Sequence, residues 1–329
     1  MIEVRHLTKR YGAHVAVEDL NFRVEPGRIY GLLGPNGAGK TTTMNMITGC
    51  LAASQGDVLI DGHDIFEEPV EAKRLIGYLP EIPPVYTDMT VEEYLSFVAE
   101  AKGIARKERA RQLEDAVERT ALGEVRHRLI GNLSKGFRQR VGIAQALLGN
   151  PEIVILDEPT VGLDPAQIIE IRDLIRTLGE RHTVILSSHI LSEISAVCDS
   201  VMIIAHGKLV ASGTPQELTR LFQGKQTLHL TVRGAEDAVR GALRGVAGVL
   251  EAAYRQEEGQ TVAELTCAPD ADLREPVFFA CAAQKLPILE MRTETASLED
   301  IFLELTQEGT PVAAAPEADT AAGEGGKAQ

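Results

Sequence analysis

Cations are in short supply in this sequence: 33 Lys and Arg stand against 48 Asp and Glu, a formal net charge of -15 over 329 residues. Binding along a polynucleotide needs clustered Lys and Arg, and an acidic field repels the polymer, so the balance argues against a nucleic-acid partner. The run ARKERARQLEDAVER (residues 105–119) carries both signs and reads as a solvated helix face. Cysteine is also scarce. Cys50, Cys198, Cys267 and Cys281 lie far apart, with no CxxC or HxxxH spacing, which disfavours a zinc site. The chain opens MIEVRHLTKRYG without an apolar leader, which fits a reducing cytoplasm. No uninterrupted apolar run approaches the roughly 18–20 residues needed to cross a bilayer, so a role at a membrane would require another chain to span it.

What is present is material for about two globular domains: 44% hydrophobic and 25% charged residues. MIEVRHLTKRY and LNFRVEPGRIYGLLG read as strands broken at Pro26-Gly27. EIVILDEP and TVILSSH are short, almost wholly apolar strands bounded by breakers, the form of parallel strands covered on both faces. Alternating with helices such as PAQIIEIRDLIRTLGE, they predict a doubly wound α/β core over residues 1–220, with a helical subdomain inserted at about 82–145. Composition then changes. TLHLTVR alternates Leu228, Leu230 and Val232 on one face, Val239, Leu243 and Val246 have helical spacing, and the order β-α-β-β-α-β predicts a small ferredoxin-like α+β domain over 226–307. SLEDIFLELTQ closes it with a capping-box start at Ser297 and Asp300, and the Ala-, Gly- and acid-rich residues 308–329 are expected to be disordered.

GPNGAGKT, residues 34–41, matches G-x-x-x-x-G-K-[ST] between a predicted strand and a predicted helix. Gly34, Gly37 and Gly39 permit a backbone whose N–H groups turn inward around phosphate oxygens, and the following helix adds its positive end. Lys40 neutralises β- and γ-phosphates, and the Thr41 hydroxyl can bind Mg²⁺. Pro35, Asn36, Ala38 and Thr42 complete the candidate nucleotide loop. IVILDE supplies the second half: Asp157 at the end of a buried strand as a water-mediated Mg²⁺ ligand, and Glu158 beside it to orient or deprotonate attacking water.

LSKGFRQR (residues 133–140) sets Ser134, Gly136 and several cations at a helix start. With the phosphate loop, the IVILDE strand and this segment in that order, residues 1 to about 220 resemble the nucleotide-binding subunit of an ATP-binding cassette (ABC) transporter, a P-loop NTPase with a mixed sheet. The resemblance implies two copies sandwiching two ATP molecules, each γ-phosphate held by one copy's loop and by Ser134 and the Gly136 N–H of the other. A helix end carrying about half a positive charge suits that phosphate. It further implies that Tyr11 stacks on adenine, that His189, closing ILSSH, contacts the γ-phosphate and positions water, and that Asp164, in VGLDP, lies in the loop crossing the dimer interface. Glu81, in IGYLPE, stands where the family has a metal-sensing glutamine; a carboxylate remains a hard oxygen ligand for the metal. Lys135 and Phe137 replace a glycine and a glutamine of the family's LSGGQ; Lys135 reads equally as an electrostatic substitute or as a surface charge.

The expectation is an ATPase subunit, peripheral on the cytoplasmic face of the membrane, that energises a separate integral-membrane permease contacted near residues 81–100. The C-terminal unit and its SLEDIFLELT ending resemble subunits of ABC-2-type exporters. The alternative is a soluble cassette ATPase acting on ribosomes or DNA, and the C-terminal unit reads as either a dimer brace or a small-molecule sensor.

Overall fold

A computed structural model of the chain describes residues 1–222, 226–257, 259–268 and 271–295. Its contacts divide between Thr214 and Pro215 into two compact units. The first begins with β1 (Ile2–Tyr11), β2 (His14–Val24), β3 (Ile29–Leu33), α1 (Lys40–Ile47), β4 (Gln55–Ile60), β5 (His63–Asp64), α2 (Pro69–Arg74) and β6 (Ile76–Leu79). A helical subdomain follows, made of α3 (Val91–Ala101), α4 (Arg106–Arg119) and α5 (Lys135–Leu147). The chain then returns through β7 (Ile153–Leu156), α6 (Pro165–Gly179), β8 (Thr183–Ser188), α7 (Leu191–Val197), β9 (Ser200–Ala205) and β10 (Lys208–Gly213).

Two sheets result, one antiparallel in the order β2-β1-β4-β5 and one in the order β10-β9-β3-β8-β7-β6. In the second, β9, β3, β8, β7 and β6 are parallel neighbours, and β10 is an antiparallel edge. Every residue of β3, β7 and β8 is buried, as their largely apolar runs require. Met44 and Ile47 of α1 share a core with Ile2 and Val58 of one sheet and Leu32, Ile155 and Ile185 of the other. Each such side chain contributes about 1.5–3 kcal/mol when removed from water.

The topology positions the chemistry. β8 lies between β3 and β7, with Leu33 paired to Ser188 and Leu156 to Leu186. Three parallel strands therefore end side by side, and the chain leaves them as the glycine-rich loop, as His189 and as Asp157-Glu158. Open α/β sheets bind ligands at such carboxyl ends.

In the helical subdomain, Thr90 caps α3: its hydroxyl accepts from the Glu93 N–H at 3.3 Å, and the Glu93 carboxylate accepts from the Thr90 N–H at 2.8 Å. Val91, Leu95 and Val98 then pack with Leu113 and Val117 of α4 and Val141 and Ala144 of α5. The charged α4 buries only Leu113, Ala116 and Val117, as a solvated helix face should. Ser134 caps α5, accepting from the Phe137 N–H at 3.4 Å, and the Phe137 ring packs against the subdomain core.

The second unit contains α8 (Pro215–Phe222), β11 (Gln226–Arg233), α9 (Glu236–Leu243), β12 (Val249–Glu257), β13 (Gln260–Cys267), α10 (Arg274–Ala283) and β14 (Ile288–Thr295). The composition-based break at residue 220 falls within α8. The sheet order is β12-β13-β11-β14, antiparallel throughout, which is the ferredoxin-like arrangement. Leu228, Leu230 and Val232 line its buried face beneath Val239, Leu243 and Val277. The expected closing helix at 297–307 and the tail at 308–329 lie outside the described residues.

Candidate active site

The ends of β3, β7 and β8 open onto a cleft of about 540 Å³. Tyr11, Asn36, Gly37, Gly39, Lys40, Thr41, Thr42, Glu81, Glu158 and His189 all line it. The loop between β3 and α1 holds φ of +81° at Gly37 and +107° at Gly39, conformations that side-chain-bearing residues resist. Gly39 also lies so close to the Ala16 carbonyl that a Cβ would sit 2.8 Å from that oxygen. A glycine backbone of this kind leading into the start of α1 has the form of an anion-binding loop.

Lys40 is 6% exposed and donates to the carbonyls of Gly34 at 2.8 Å and Pro35 at 3.3 Å. Its ammonium is 3.3 Å from Glu158 Oε1, while Glu158 Oε2 is 3.0 Å from His189 Nδ1. Glu158 thus stands between the loop's cation and the imidazole. Its backbone has φ of +48°, unusual for a glutamate, and its N–H donates to Ser187 Oγ at 2.8 Å. Strain of this kind persists where surrounding structure over-determines it.

Asp157 is wholly buried and accepts from Ser187 Oγ at 2.6 Å through Oδ1, while Oδ2 has no hydrogen-bond partner. Burial pushes its carboxyl above the usual aspartate range, opposed by the hydroxyls of Ser187 and Thr41, while Glu158 adds to the rise and Lys40 counters it. An orphaned buried carboxylate oxygen near a hydroxyl fits a hard cation such as Mg²⁺. Among the described residues no cluster of three or more His, Cys, Asp or Glu could hold a metal alone. The donors therefore suit an ion that brings phosphate and water ligands with it, and Thr41 and Asp157 are the residues that would hold it. Such an ion would supply positive charge to offset that of the phosphates. Glu81 lies on the exposed lip of the cleft.

Ser134, Gly136 and Asp164 do not line this cleft. Ser134 is exposed at the start of α5, and Asp164 caps α6 by accepting from the Gln167 N–H at 3.0 Å. The Lys135 ammonium lies over Gly162, where φ is +69° and a Cβ would overlap it. Tyr11 is half exposed at the cleft mouth, with the Lys9 ammonium 5.3 Å from its ring centroid. The sequence reading missed His14 and Ala16 on the cleft wall and Ser187, Ser188 and Glu193 behind it, and Val161, read only as part of the VGLDP loop, also lines the cleft. The SSH run was the only signal for the serines.

Residues 17–161 match the family model described as ABC transporter. The linearmycin resistance ATP-binding protein LnrL of Bacillus subtilis is 32% identical over 307 residues, covering 93% of this chain and 98% of LnrL. This chain belongs to the ABC transporter ATP-binding proteins. As a member of that family it binds ATP and is an ATPase. The bacitracin transport ATP-binding protein BcrA of Bacillus licheniformis is 43% identical over 212 residues, covering 64% of this chain and 68% of BcrA. A solved structure described as a dimeric bacterial ABC transporter cassette, MJ0796, superposes with a TM-score of 0.60 at 25% identity, covering 65% of this chain and 98% of that one. Among the described residues no helix of this ABC protein is long and apolar enough to cross a membrane.

Proposed function

We propose that the chain is the ATP-hydrolysing subunit of an ABC-2-type exporter, working as a homodimer that closes on two MgATP and opens after hydrolysis. In this reading Glu158 is the general base, His189 holds the attacking water and the γ-phosphate, and the phosphate loop with Lys40, Thr41 and Asp157 holds MgATP. Tyr11 stacks on adenine, and Ser134, Gly136 and Asp164 act across the dimer. The observation that carries it is the Lys40–Glu158–His189 arrangement, a carboxylate held between the loop's cation and an imidazole where three parallel strands end. That Ser134 caps a helix outside its own chain's cleft supports the two-copy site, as does the dimeric cassette among the structural neighbours. Closed dimers gain contacts to the γ-phosphate that hydrolysis removes, and this difference drives the cycle.

A relative named for linearmycin resistance, matched over nearly its full length, and a relative named for bacitracin transport support the exporter branch. The permease would dock at the cytoplasmic face through a groove of about 390 Å³ that includes Ile82, Pro83, Val85, Arg138 and Gln139. Ile82 is 82% exposed there, and Arg138 Nε and Gln139 Nε2 are buried donors without acceptors. Apolar surface beside unmet donors suits a partner segment presenting carbonyls or carboxylates.

The test is chromatography with light scattering. Glu158→Gln with MgATP should run as a dimer, Gly136→Asp in that background should bind ATP yet stay monomeric, and Lys40→Ala should lose nucleotide affinity. A hydrolysis-dead chain that remains monomeric at saturating MgATP overturns the two-copy site. Cosedimentation with ribosomes instead of membranes would favour the soluble regulator.

A further inference from the structure

We infer that Glu193 is the positioning residue that fixes Glu158 and His189 relative to each other and thereby sets the rate of hydrolysis; this rests on the roles proposed above for those two side chains. Glu193 lies in the first turn of α7 and is only 5% exposed. Its Oε2 accepts two hydroxyl hydrogen bonds, from Thr160 Oγ1 at 2.5 Å and from Ser188 Oγ at 3.1 Å. Thr160 follows Glu158 by two residues on the exit from β7, and Ser188 immediately precedes His189 on the exit from β8. A single carboxylate oxygen therefore ties together the two segments that carry the base and the imidazole.

The tie has a defined direction. Ser188 Oγ accepts from the Ile190 N–H at 3.0 Å and donates its own proton to Glu193, so the backbone on both sides of His189 is pinned. On the other segment, Glu158 keeps its left-handed backbone with Ser187 holding its N–H and Glu193 holding the chain two residues later. The Glu158 Oε2 to His189 Nδ1 distance of 3.0 Å is the outcome of these anchors. A buried carboxylate is costly unless hydrogen bonds offset it. An apolar side chain could pack α7 against the core just as well. It could not hold at one point two hydroxyls that come from the exits of different strands. Reacting groups displaced by about 1 Å lose up to roughly 100-fold in rate, so an anchor at this junction acts on turnover more than on binding.

The experiment measures kcat and KM for ATP with the full chain, counting active sites by bound nucleotide, in Glu193→Ala, Thr160→Val, Ser188→Ala and Thr160→Ser. Expected is a fall in kcat of about 10-fold or more in the first three, with KM held within about 2-fold. Thr160→Ser keeps the hydroxyl and should keep the rate. Adding Thr160→Val to Glu193→Ala should cost nothing further, because both remove the same tie. Should Glu193→Ala fold poorly, Thr160→Val and Ser188→Ala decide. The inference is overturned if those two turn over at the wild-type rate, or if kcat falls only in proportion to lost active sites. Full-rate hydrolysis by Glu158→Gln would instead overturn the base assignment, and the inference with it. A dead Glu158→Gln beside fully active Thr160 and Ser188 variants overturns the inference alone.

Discussion

Buried polar side chains are shared unequally between the two units. In the first, Lys40, Asp157, Glu158 and Glu193 are all buried around the carboxyl ends of the central strands; in the second, Thr261 alone is both polar and buried among the described residues. The Thr261 hydroxyl donates to the Gly234 carbonyl at 2.9 Å and serves packing. The first unit therefore gives up stability to keep charges at the strand ends, where the proposed ATP chemistry would use them, whereas the second is built as an ordinary core. The largest expected effect tests the first half of that contrast. Glu158→Gln should lower kcat by about 10²–10⁴-fold, the usual worth of a general base, with KM for ATP nearly unchanged. Steady-state ATPase assays check it, and a loss confined to KM would show that Glu158 serves binding instead.

The second half is tested by Leu230→Ala. Leu230 is 1% exposed in the core of the second unit, so its truncation should destabilise that unit by about 2–5 kcal/mol. Calorimetry should show one transition moving down while kcat per bound nucleotide stays within about 2-fold of wild type. A matching loss of turnover would break the comparison, because it would make the second unit a working part of the ATPase.

The same contrast governs what the sequence disclosed. GPNGAGKT, Asp157-Glu158 and His189 were legible because each stands at the end of an apolar strand, and the structure brings Asn36, Gly37, Gly39, Lys40, Thr41, Glu158 and His189 to one cleft. The alternation of Leu228, Leu230 and Val232 likewise gave the face of the second sheet. What stayed hidden was lateral. The placement of β8 between β3 and β7 follows from long-range pairing, which no local pattern encodes. Ser187, Ser188 and Glu193 escaped notice for the same reason. A serine in an apolar strand and a glutamate in a helix carry no sign that they meet across a strand boundary. The antiparallel sheet and the β9–β10 edge lacked breaker-bounded apolar runs, so their strands were only partly read.

Asp157 offers a smaller and opposite effect. Its pKa is raised in the fold, chiefly by burial, so its ionised form destabilises the protein. With the folded value above the unfolded one, that penalty is absent below the unfolded pKa and fully present once pH exceeds the folded pKa. At neutral pH, Asp157→Asn should therefore raise the melting temperature of the nucleotide-free protein by about 2–4 °C, as expected for about 1 kcal/mol in a unit of this size. The asparagine Oδ1 can still accept from Ser187. Adding Mg²⁺ should increase ATP's stabilisation of the wild type and leave the variant unmoved, and chelation with EDTA should erase the difference. Scanning calorimetry with and without MgATP checks both parts.

The smallest expected effect concerns His182, a buried polar group of the first unit remote from the strand-end cleft. Its Nδ1 is 2.7 Å from the Pro151 carbonyl and its Nε2 is 3.3 Å from the Arg119 guanidinium. The ring therefore donates through Nδ1 and accepts from Arg119 through Nε2, which requires the neutral form. Burial lowers its pKa, the Pro151 carbonyl opposes the shift, Arg119 and Arg181 reinforce it, and Asp115 offsets it in part. Since the folded pKa lies below the unfolded value of about 6.5, the unfolded chain takes up a proton first as pH falls. Stability should then drop from about pH 6.5 downward until the folded value is passed, by at most about 1.4 kcal/mol per pH unit. His182→Gln, which can still donate and accept, should flatten that part of the profile without changing it above pH 7. Denaturant midpoints compared between the two proteins isolate this residue from the carboxylates that titrate lower. A profile unchanged by the substitution would mean that the Arg119 contact tolerates the proton, so that in this unit only the strand-end charges carry a cost in stability.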